Sequence, residues 1–308
     1  MNLACAGRKD WNRHLTLILL YDRAFLMTDR QRTSAIPVTV VIPVRNEEAN
    51  LAQCIQRLGS FDEVIVVDSN STDTTCQIAI DHGASVIQFE WDGRYPKKRN
   101  WVLLNQRLRN AWVLFLDADE LITQKFCDEL SAAIEEDRFD AFWLRYTNYF
   151  LGCPLRHGDA QRKLAVFKIC KGLYEKIDED AWSGLDMEVH EHPVIEGEIG
   201  EILSPIDHRD YRGLAKFIAR HNDYAMWEAR RTVQLRKASP DVWAQLTERQ
   251  QKKYRNIDRW WFAWAYFAWS FVVRRGFLDG PAGFSYAFYK LWYFWTIRLL
   301  IRELAKKP

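Results

Sequence analysis

Two carboxylates separated by one residue, Asp117 and Asp119, follow the apolar run 112–116 (WVLFL). Such a run is typical of a buried strand, so both acids should lie where a strand ends. Carboxylate oxygens suit Mg²⁺ and Mn²⁺, which keep coordination positions open for substrate phosphates. The spacing therefore allows a metal shared with a diphosphate, where the metal would neutralise charge that develops on a leaving nucleoside diphosphate. The alternative is that the acids only cap the next helix.

Polar side chains also follow the first two predicted strands. Asn46 and Glu47 come after the run 37–43 (PVTVVIP), while Asp68 ends the next apolar run and Ser69 follows it. Oxygens at these positions can accept hydrogen bonds from a nucleobase imide and from ribose hydroxyls, and a helix N-terminus favours phosphate. Ordinary helix capping explains the same residue types, and both interpretations can hold for the same side chains.

The hydrophobic pattern predicts the elements that position these groups. Strands alternate with helices over the first half of the chain; the strands are expected at 37–43, 64–68, 84–88, 112–116 and 141–146. This order is typical of an α/β fold with a mainly parallel, Rossmann-like sheet, in which ligands bind outside the carboxyl ends of the strands. The stretch 150–206 has an irregular pattern. Helical periodicity returns in three segments, at 211–237, 241–275 and 281–306.

Three sequence stretches in the first half of the chain carry a family resemblance. The pattern VIPVRNEEANL, then VDSNSTDTT, then LDADE resembles the family-2 inverting glycosyltransferases of the GT-A fold. Three further stretches, PKKRN, EVHEHP and GFLDG, resemble the branch that includes lipopolysaccharide core β-1,4-glucosyltransferases. The resemblance covers the chain from about Val38 to the C-terminus.

The resemblance implies a role for each matching residue. Glu47 and Asp68 would contact a uridine-type base and its ribose, and the PKKRN stretch would lie near the base and the diphosphate. The implied donor-binding residues are Pro43, Asn46, Glu47, Asp68, Ser69, Lys97, Arg99, Asn100, Asp117 and Ala118. The implied ligands of Mg²⁺ or Mn²⁺ are Asp117, Asp119, His190 and His192.

An inverting enzyme also needs a general base. The acceptor hydroxyl attacks the anomeric carbon from the face opposite the departing diphosphate, and a carboxylate near that face must take its proton. Glu191 is the predicted base because it lies in a polar segment between two histidines. Glu188 is one alternative. Asp159 is another, since it begins the stretch DAQRKL, which resembles an acceptor-side D-x-Q-x-R-L loop.

The last hundred residues are basic and aromatic. Residues 209–308 hold 20 Lys and Arg against 8 Asp and Glu, although the whole chain has a net charge of only +2. The uncharged run 260–273 (WWFAWAYFAWSFVV) would span only about 21 Å as a helix, less than a hydrocarbon core of about 30 Å. Arg259, Arg274 and Arg275 flank this run, which favours a membrane-surface or shallow hairpin. A packed helical pair or a dimer interface is the alternative.

Three regions are predicted from these patterns. Residues 1–35 form an N-terminal extension, and Met27 could be the native start. Residues 36–205 form a GT-A nucleotide-sugar glycosyltransferase domain, and residues 206–308 form a helical membrane-associating region. The six cysteines are scattered without a CxxC pair, which is typical of reduced thiols in a cytosolic protein rather than of a zinc site.

The predicted function is metal-dependent, inverting transfer of a hexose from a UDP-sugar to a lipid-linked saccharide acceptor. We expect this transferase in lipopolysaccharide core or related envelope glycan biosynthesis, in the cytoplasm at the inner leaflet of the cytoplasmic membrane, with no nucleic-acid partner. A polyprenyl-phosphate glycosyltransferase is a close alternative that differs in its acceptor. A sugar-phosphate nucleotidyltransferase is less compatible, because no glycine follows the first strand at 44–48 (VRNEE). Intact acids at 68, 117 and 119 argue against a non-catalytic membrane adaptor.

Overall fold

The computed structural model describes residues 35–177, 179, 182–188, 191–209 and 213–306. Apart from Ala35, the predicted N-terminal extension with its proposed start at Met27 lies outside the described residues, as does His190. The five cysteines in the described part of the chain are free thiols.

The first half of the chain alternates strands with helices. Its elements are β1 (Ile36–Val44), α1 (Leu51–Gln56), β2 (Phe61–Asp68), α2 (Thr75–Asp81), β3 (Ser85–Gln88), α3 (Lys98–Asn105), β4 (Trp112–Phe115), β5 (Glu120–Leu121) and α4 (Gln124–Glu135). Strands β3, β2, β1 and β4 are neighbours in that order and run parallel. The predicted α/β class with a mainly parallel sheet is confirmed.

Burial on both faces explains the long apolar runs of these strands. Consecutive side chains of a strand point to opposite faces of the sheet, so Val40 and Val41 belong to different core clusters. Helix α4 covers the first face with a stripe of buried side chains that includes Phe126 and Leu130. The hydroxyl of Thr123 caps this helix by accepting a hydrogen bond from the backbone N–H of Phe126.

The stretch that was expected to be irregular contains most of the second half of the sheet, so that prediction was wrong. It follows β6 (Ala141–Phe150), which corresponds to the strand expected at 141–146, and contains β7 (Cys153–Leu155), β8 (Arg162–Lys168), β9 (Gly172–Tyr174), β10 (Pro193–Ile195) and β11 (Ile199–His208). Strands β9 and β10 pair with each other as a separate two-stranded sheet. The large sheet continues from β4 through β8, β6 and β11 to β5, with β7 paired to β6. Because β11 extends to His208, the predicted domain boundary at 205/206 falls inside a strand, and that division stays a prediction.

Helices form the rest of the chain. They are α5 (Gly213–Lys237), α6 (Pro240–Ala244), α7 (Glu248–Asn256), α8 (Phe262–Ala268) and α9 (Gly280–Leu304). A π-helical segment (Trp269–Val273) and a 3₁₀ turn (Gly276–Asp279) connect α8 to α9. The predicted single helix over 241–275 is therefore wrong. Thr247 begins a new helix within it, because its side chain and that of Gln250 form a capping box.

Helices α5 and α9 pack against each other through small and branched apolar side chains, among them Ala225, Ala229, Ile297 and Ile301. None of the helices in the described part of the chain has the length and apolar character needed to cross a membrane.

A short clamp joins the turn before β8 to the last helices. The backbone N–H and the ring Nδ1 of His157 each lie 2.9 Å from a carboxylate oxygen of Asp279. The Gly158 N–H donates to the carbonyl oxygen of Arg274 at 2.9 Å, and the hydroxyl of Tyr266 donates to Asp159. This clamp fixes the position of the segment that enters β8.

Candidate active site

The loops after β1 and β2 are held together by hydrogen bonds. Asn46 lies in the left-handed region, with φ 55°, which asparagine tolerates better than most residues. Its side-chain oxygen accepts from the N–H of Thr72 at 2.8 Å, and its own N–H donates to the Ser71 hydroxyl at 2.8 Å. Helix α1 begins only at Leu51, so Asn46 joins the two loops and does not cap that helix.

Asp68 is buried at the end of β2. Burial raises the pKa of this carboxyl. Hydrogen bonds from the hydroxyl and the backbone N–H of Ser71 lower it by more than burial raises it, so the pKa lies below its usual value. Val44 pairs with Asp68 across β1 and β2, and Val41 pairs with Phe115 across β1 and β4. This register brings the ends of β1, β2 and β4 to one edge of the sheet.

Lys98 lies beside the end of β1 and was not among the predicted site residues. Its ammonium group donates to the carbonyl oxygen of Val44 at 3.1 Å and lies 3.4 Å from a carboxylate oxygen of Asp186. The same carboxylate accepts from the hydroxyl of Ser69. The sequence signal was the run of two lysines at 97 and 98, whose side chains leave the start of α3 in different directions.

Asp117 lies between two cations. Its Oδ1 accepts from the guanidinium of Arg99 at 3.0 Å, and its Oδ2 accepts from the ammonium of Lys163 at 2.6 Å. Burial alone raises the pKa of Asp117, but Lys163 and Arg99 hold it well below its usual range. Lys163 also contacts Glu120, a buried carboxyl whose pKa is raised by its burial. Neither Lys163 nor Glu120 was among the predicted site residues.

Asp119 has a different partner. The Nε2 of His208 lies 3.4 Å from Asp119 Oδ1, and the ring's Nδ1 lies 3.1 Å from the side-chain oxygen of Asn148. Burial lowers the pKa of His208, but the neighbouring Asp119 carboxylate raises it above its usual value. Asp119 Oδ1 is buried and accepts no hydrogen bond from any described residue. A buried carboxylate oxygen beside an imidazole nitrogen fits a divalent cation, with Asn148 orienting the ring.

Of the two histidines predicted as metal ligands, only His192 lies in the described part of the chain. His192 is exposed, and its backbone N–H donates to Glu175 at 3.2 Å. Within the described part of the chain, no three His, Cys, Asp or Glu side chains converge as a complete metal site.

The three predicted base candidates lie in three different environments. Glu191 is buried, and its carboxylate pairs with the ammonium of Lys97 at 2.8 Å; Lys97 also pairs with Glu179. The carboxylate of Glu188 accepts from the N–H groups of Arg99 and Asn100, at 2.8 and 2.9 Å.

Glu188 therefore caps α3 from a distant part of the chain, since Lys97 at the N-cap makes no side-chain cap of its own. The carboxylate of the third candidate, Asp159, accepts the hydroxyl hydrogen of Tyr266 in the clamp. Of the three, only Glu191 is neither a helix cap nor part of the clamp.

The family model and the relatives described next are all glycosyltransferases. The family model described as glycosyl transferase family 2 matches residues 39–179. An uncharacterized glycosyltransferase of Rickettsia typhi is 29% identical to this chain over 262 residues, which cover 80% of each chain. The lipopolysaccharide core biosynthesis glycosyltransferase LpsC of Rhizobium meliloti is 29% identical over 175 residues, which cover 54% of this chain and 60% of LpsC.

Two solved structures align with parts of the chain. Residues 1–349 of Staphylococcus aureus TarS in complex with UDP-GlcNAc align with a TM-score of 0.46 and 16% identity, over 87% of this chain and 91% of that one. Glucosyl-3-phosphoglycerate synthase from Mycobacterium tuberculosis, in complex with Mn²⁺, UDP and phosphoglyceric acid, aligns with a TM-score of 0.37 and 22% identity. That alignment covers 58% of this chain and 72% of the synthase.

Proposed function

Because the chain carries a family-2 glycosyltransferase domain, we propose that it transfers a hexose from a UDP-sugar to a lipid-linked saccharide, with inversion at the anomeric carbon. The observation that carries this proposal is the gathering of Asp68, Asp117 and Asp119 at the carboxyl edge of the parallel part of the sheet. Ligands of such sheets bind at this edge. The similarity to LpsC supports an acceptor in the lipopolysaccharide core or a related envelope glycan.

The donor half of the proposal assigns the nucleotide to the joined loops after β1 and β2. Oxygens of Glu47 and Asp68 would accept from the base and the ribose, while Lys98 supplies positive charge beside them. Hydrogen bonds between the two loops fix these groups before the donor arrives, so little ordering is needed on binding. Pro43 in β1, Ala118 after β4 and Asn100 in α3 stay predicted contacts. The buried side chain of Asn100 donates to the carbonyl oxygen of Tyr174 at 3.0 Å and accepts from the Tyr174 N–H at 2.9 Å.

A divalent metal is the second part of the proposal. Asp119 and His208 are the residues that would hold Mg²⁺ or Mn²⁺, because their facing oxygen and nitrogen atoms are 3.4 Å apart and the Asp119 oxygen is buried without a hydrogen bond from the described residues. When bound, the metal supplies positive charge for the diphosphate that leaves the sugar. The positive groups of Arg99 and Lys163 each pair with one oxygen of the neighbouring Asp117 and limit the approach of a metal cation to this carboxylate.

Glu191 is the proposed general base. Lys97 holds its carboxylate in one orientation, which suits a group that must meet an acceptor hydroxyl at a fixed place. The two other candidates have structural partners that would be lost if they moved, since Glu188 caps α3 and Asp159 belongs to the clamp.

The acceptor half of the proposal places the enzyme on the inner leaflet of the cytoplasmic membrane. The connection between α8 and α9, residues 269–278, is named here the aromatic tip. Its exposed apolar side chains are Trp269, Val272, Val273, Phe277 and Leu278. Arg274 and Arg275 are exposed among them, which complements an anionic lipid surface. Docking there would confine enzyme and lipid-linked acceptor to one surface and raise their effective concentration.

A donor panel tests this function directly. The purified chain is incubated with different nucleotide sugars and Mn²⁺ or Mg²⁺, and release of the nucleoside diphosphate is measured with and without lipid-linked saccharides or polyprenyl phosphate. We expect UDP release from a UDP-hexose, loss of that release in Asp119→Ala, and normal release in the surface control Asp128→Ala. Full activity in Asp119→Ala would overturn the mechanism, and transfer only to polyprenyl phosphate would reassign the acceptor.

A further inference from the structure

Lys163 occupies a position between two carboxylates of the candidate site. Its ammonium group donates to Asp117 Oδ2 at 2.6 Å and to Glu120 Oε1, and it lies 5.0 Å from the centre of the Tyr146 ring. Arg99 contacts the other oxygen of Asp117 at 3.0 Å. Both oxygens of Asp117 are therefore hydrogen-bonded to positively charged groups.

The residue before Lys163 shows that this arrangement is specific to one side of β8. Arg162 lies on the opposite face of the strand, as alternation requires, and its guanidinium is half exposed and 3.6 Å from Glu201. Lys163 and Arg162 thus provide two neighbouring cations on one strand, of which Lys163 contacts the Asp117 carboxylate.

The two acids of the D-x-D pattern have different surroundings. Asp117 faces two cations, whereas Asp119 Oδ1 is buried beside His208 and accepts no hydrogen bond from the described residues. A divalent cation needs carboxylate lone pairs and is repelled by nearby positive charge. The electrostatic setting therefore favours the metal at Asp119 and disfavours it at Asp117.

We propose that Lys163 is a positioning residue that keeps Asp117 out of the coordination shell of the metal, so that Asp119 and His208 hold it. This inference rests on the proposed metal-dependent function. Without Lys163, Asp117 would gain a lone pair for the metal and lose a repelling charge nearby. The metal would then bind more tightly but in a displaced position, and turnover would fall.

The test compares metal affinity with turnover in Lys163→Met. Free Mn²⁺ is measured by electron paramagnetic resonance in titrations of the enzyme with UDP present, and kcat is measured with the UDP-sugar. We expect about tenfold tighter Mn²⁺ binding, the size of effect that one neighbouring charge has on a carboxylate, together with a lower kcat. Lys163→Arg should retain both values, and Arg162→Met serves as the matched control with wild-type values.

A merely structural role of Lys163 would weaken metal binding and turnover together, so unchanged or weaker Mn²⁺ binding in Lys163→Met would overturn the proposal. The double variant Lys163→Met/Asp117→Asn should return to wild-type Mn²⁺ affinity, and persistent tight binding there would exclude Asp117 as the ligand gained. If thermal denaturation shows that Lys163→Met does not fold, Lys163→Gln replaces it. Absence of Mn²⁺ binding by the wild-type enzyme with UDP would instead refute the metal part of the proposed function.

Discussion

His208 Nε2 lies 3.4 Å from Asp119 Oδ1, although the two residues belong to distant parts of the sequence. Antiparallel pairing of β11 with the short strand β5 brings them together, with His208 opposite Glu120. A two-residue strand thus determines which histidine reaches the D-x-D acids.

Replacing this histidine should weaken the metal site. We expect His208→Ala to need about 10- to 100-fold more Mn²⁺ for half-maximal UDP release, because one nitrogen ligand of the metal is lost. The measurement is a metal titration of UDP release, with His192→Ala as the matched variant, since His192 was also a predicted ligand. A larger effect in His192→Ala than in His208→Ala would show that the metal lies elsewhere.

Glu191 and Glu188 should respond differently to substitution. Glu191→Gln removes the proposed base, and we expect kcat to fall by about 10²- to 10⁴-fold while the Kd for UDP changes little. Glu188→Ala leaves two backbone N–H groups at the start of α3 without acceptors, one buried and one partly buried, so it should lower the free energy of unfolding by about 1–3 kcal/mol.

Calorimetric UDP titration and thermal denaturation separate the two effects, with exposed Glu135→Ala as the control for stability. Near-normal kcat in Glu191→Gln would move the role of base to another carboxylate, and Asp159→Asn is then the variant to measure.

Acidification should destabilise the packing of α5 against α9. His221 is buried there, its ring lies 3.9 Å from that of Phe217 and 5.5 Å from that of Tyr293, and its Nδ1 lies 2.9 Å from the Phe217 carbonyl oxygen. Burial, helped by the charges of Lys290 and Arg220, lowers the pKa of His221 to about 4.

In the unfolded chain the histidine has an ordinary pKa of about 6.5, so the unfolded chain binds more protons than the folded chain between pH 6.5 and 4. The free energy of unfolding therefore decreases as the pH falls through that window. Chemical denaturation measures the free energy of unfolding at pH 7 and at pH 5. Between these two values the free energy of unfolding of the wild type should fall by about 2 kcal/mol more than that of His221→Phe. Equal losses in the two proteins would contradict the assignment.

Charge placed in the aromatic tip should abolish membrane docking. We expect the double variant Val272→Asp/Val273→Asp to lose binding to vesicles that contain anionic lipid, because both side chains are more than half exposed and would enter the interface. Sedimentation with vesicles measures the binding, and UDP release without vesicles serves as the internal control. Ile80→Asp changes a similarly exposed side chain on α2 and should bind as wild type does. Failure of the wild-type protein to sediment with such vesicles would refute docking at the tip.

The donor edge of the sheet could be predicted from the sequence because its information is local. Buried parallel strands are continuous apolar runs, and Asp68 and Asp117 are the first polar residues at or after the ends of two such runs. Helix starts were less accurate, since Asn46 adopts a left-handed conformation that a capping pattern does not reveal.

The rest of the site depends on pairings between distant segments. Lys163 and His208 lie on β8 and β11, whose antiparallel partners are far away in the sequence. In β11 the buried side chains alternate with exposed ones, a weak period that Gly200 and Pro205 interrupt. Nothing local distinguishes His208 from the two histidines of the EVHEHP stretch, and metal ligation by either of those two histidines stays a prediction.

The clamp between His157 and Asp279 has a consequence for engineering of the protein. Gly276 and Gly283 pack so closely that a β-carbon on Gly283 would lie 2.1 Å from the Gly276 carbonyl oxygen, so the connection before α9 has little room to adjust. The turn that leads to Lys163 is held by this connection. Chimeras with related enzymes should therefore exchange the segment 153–168 and the helices after residue 260 together, and a chain shortened after β11 would lose the contacts that hold the turn before β8.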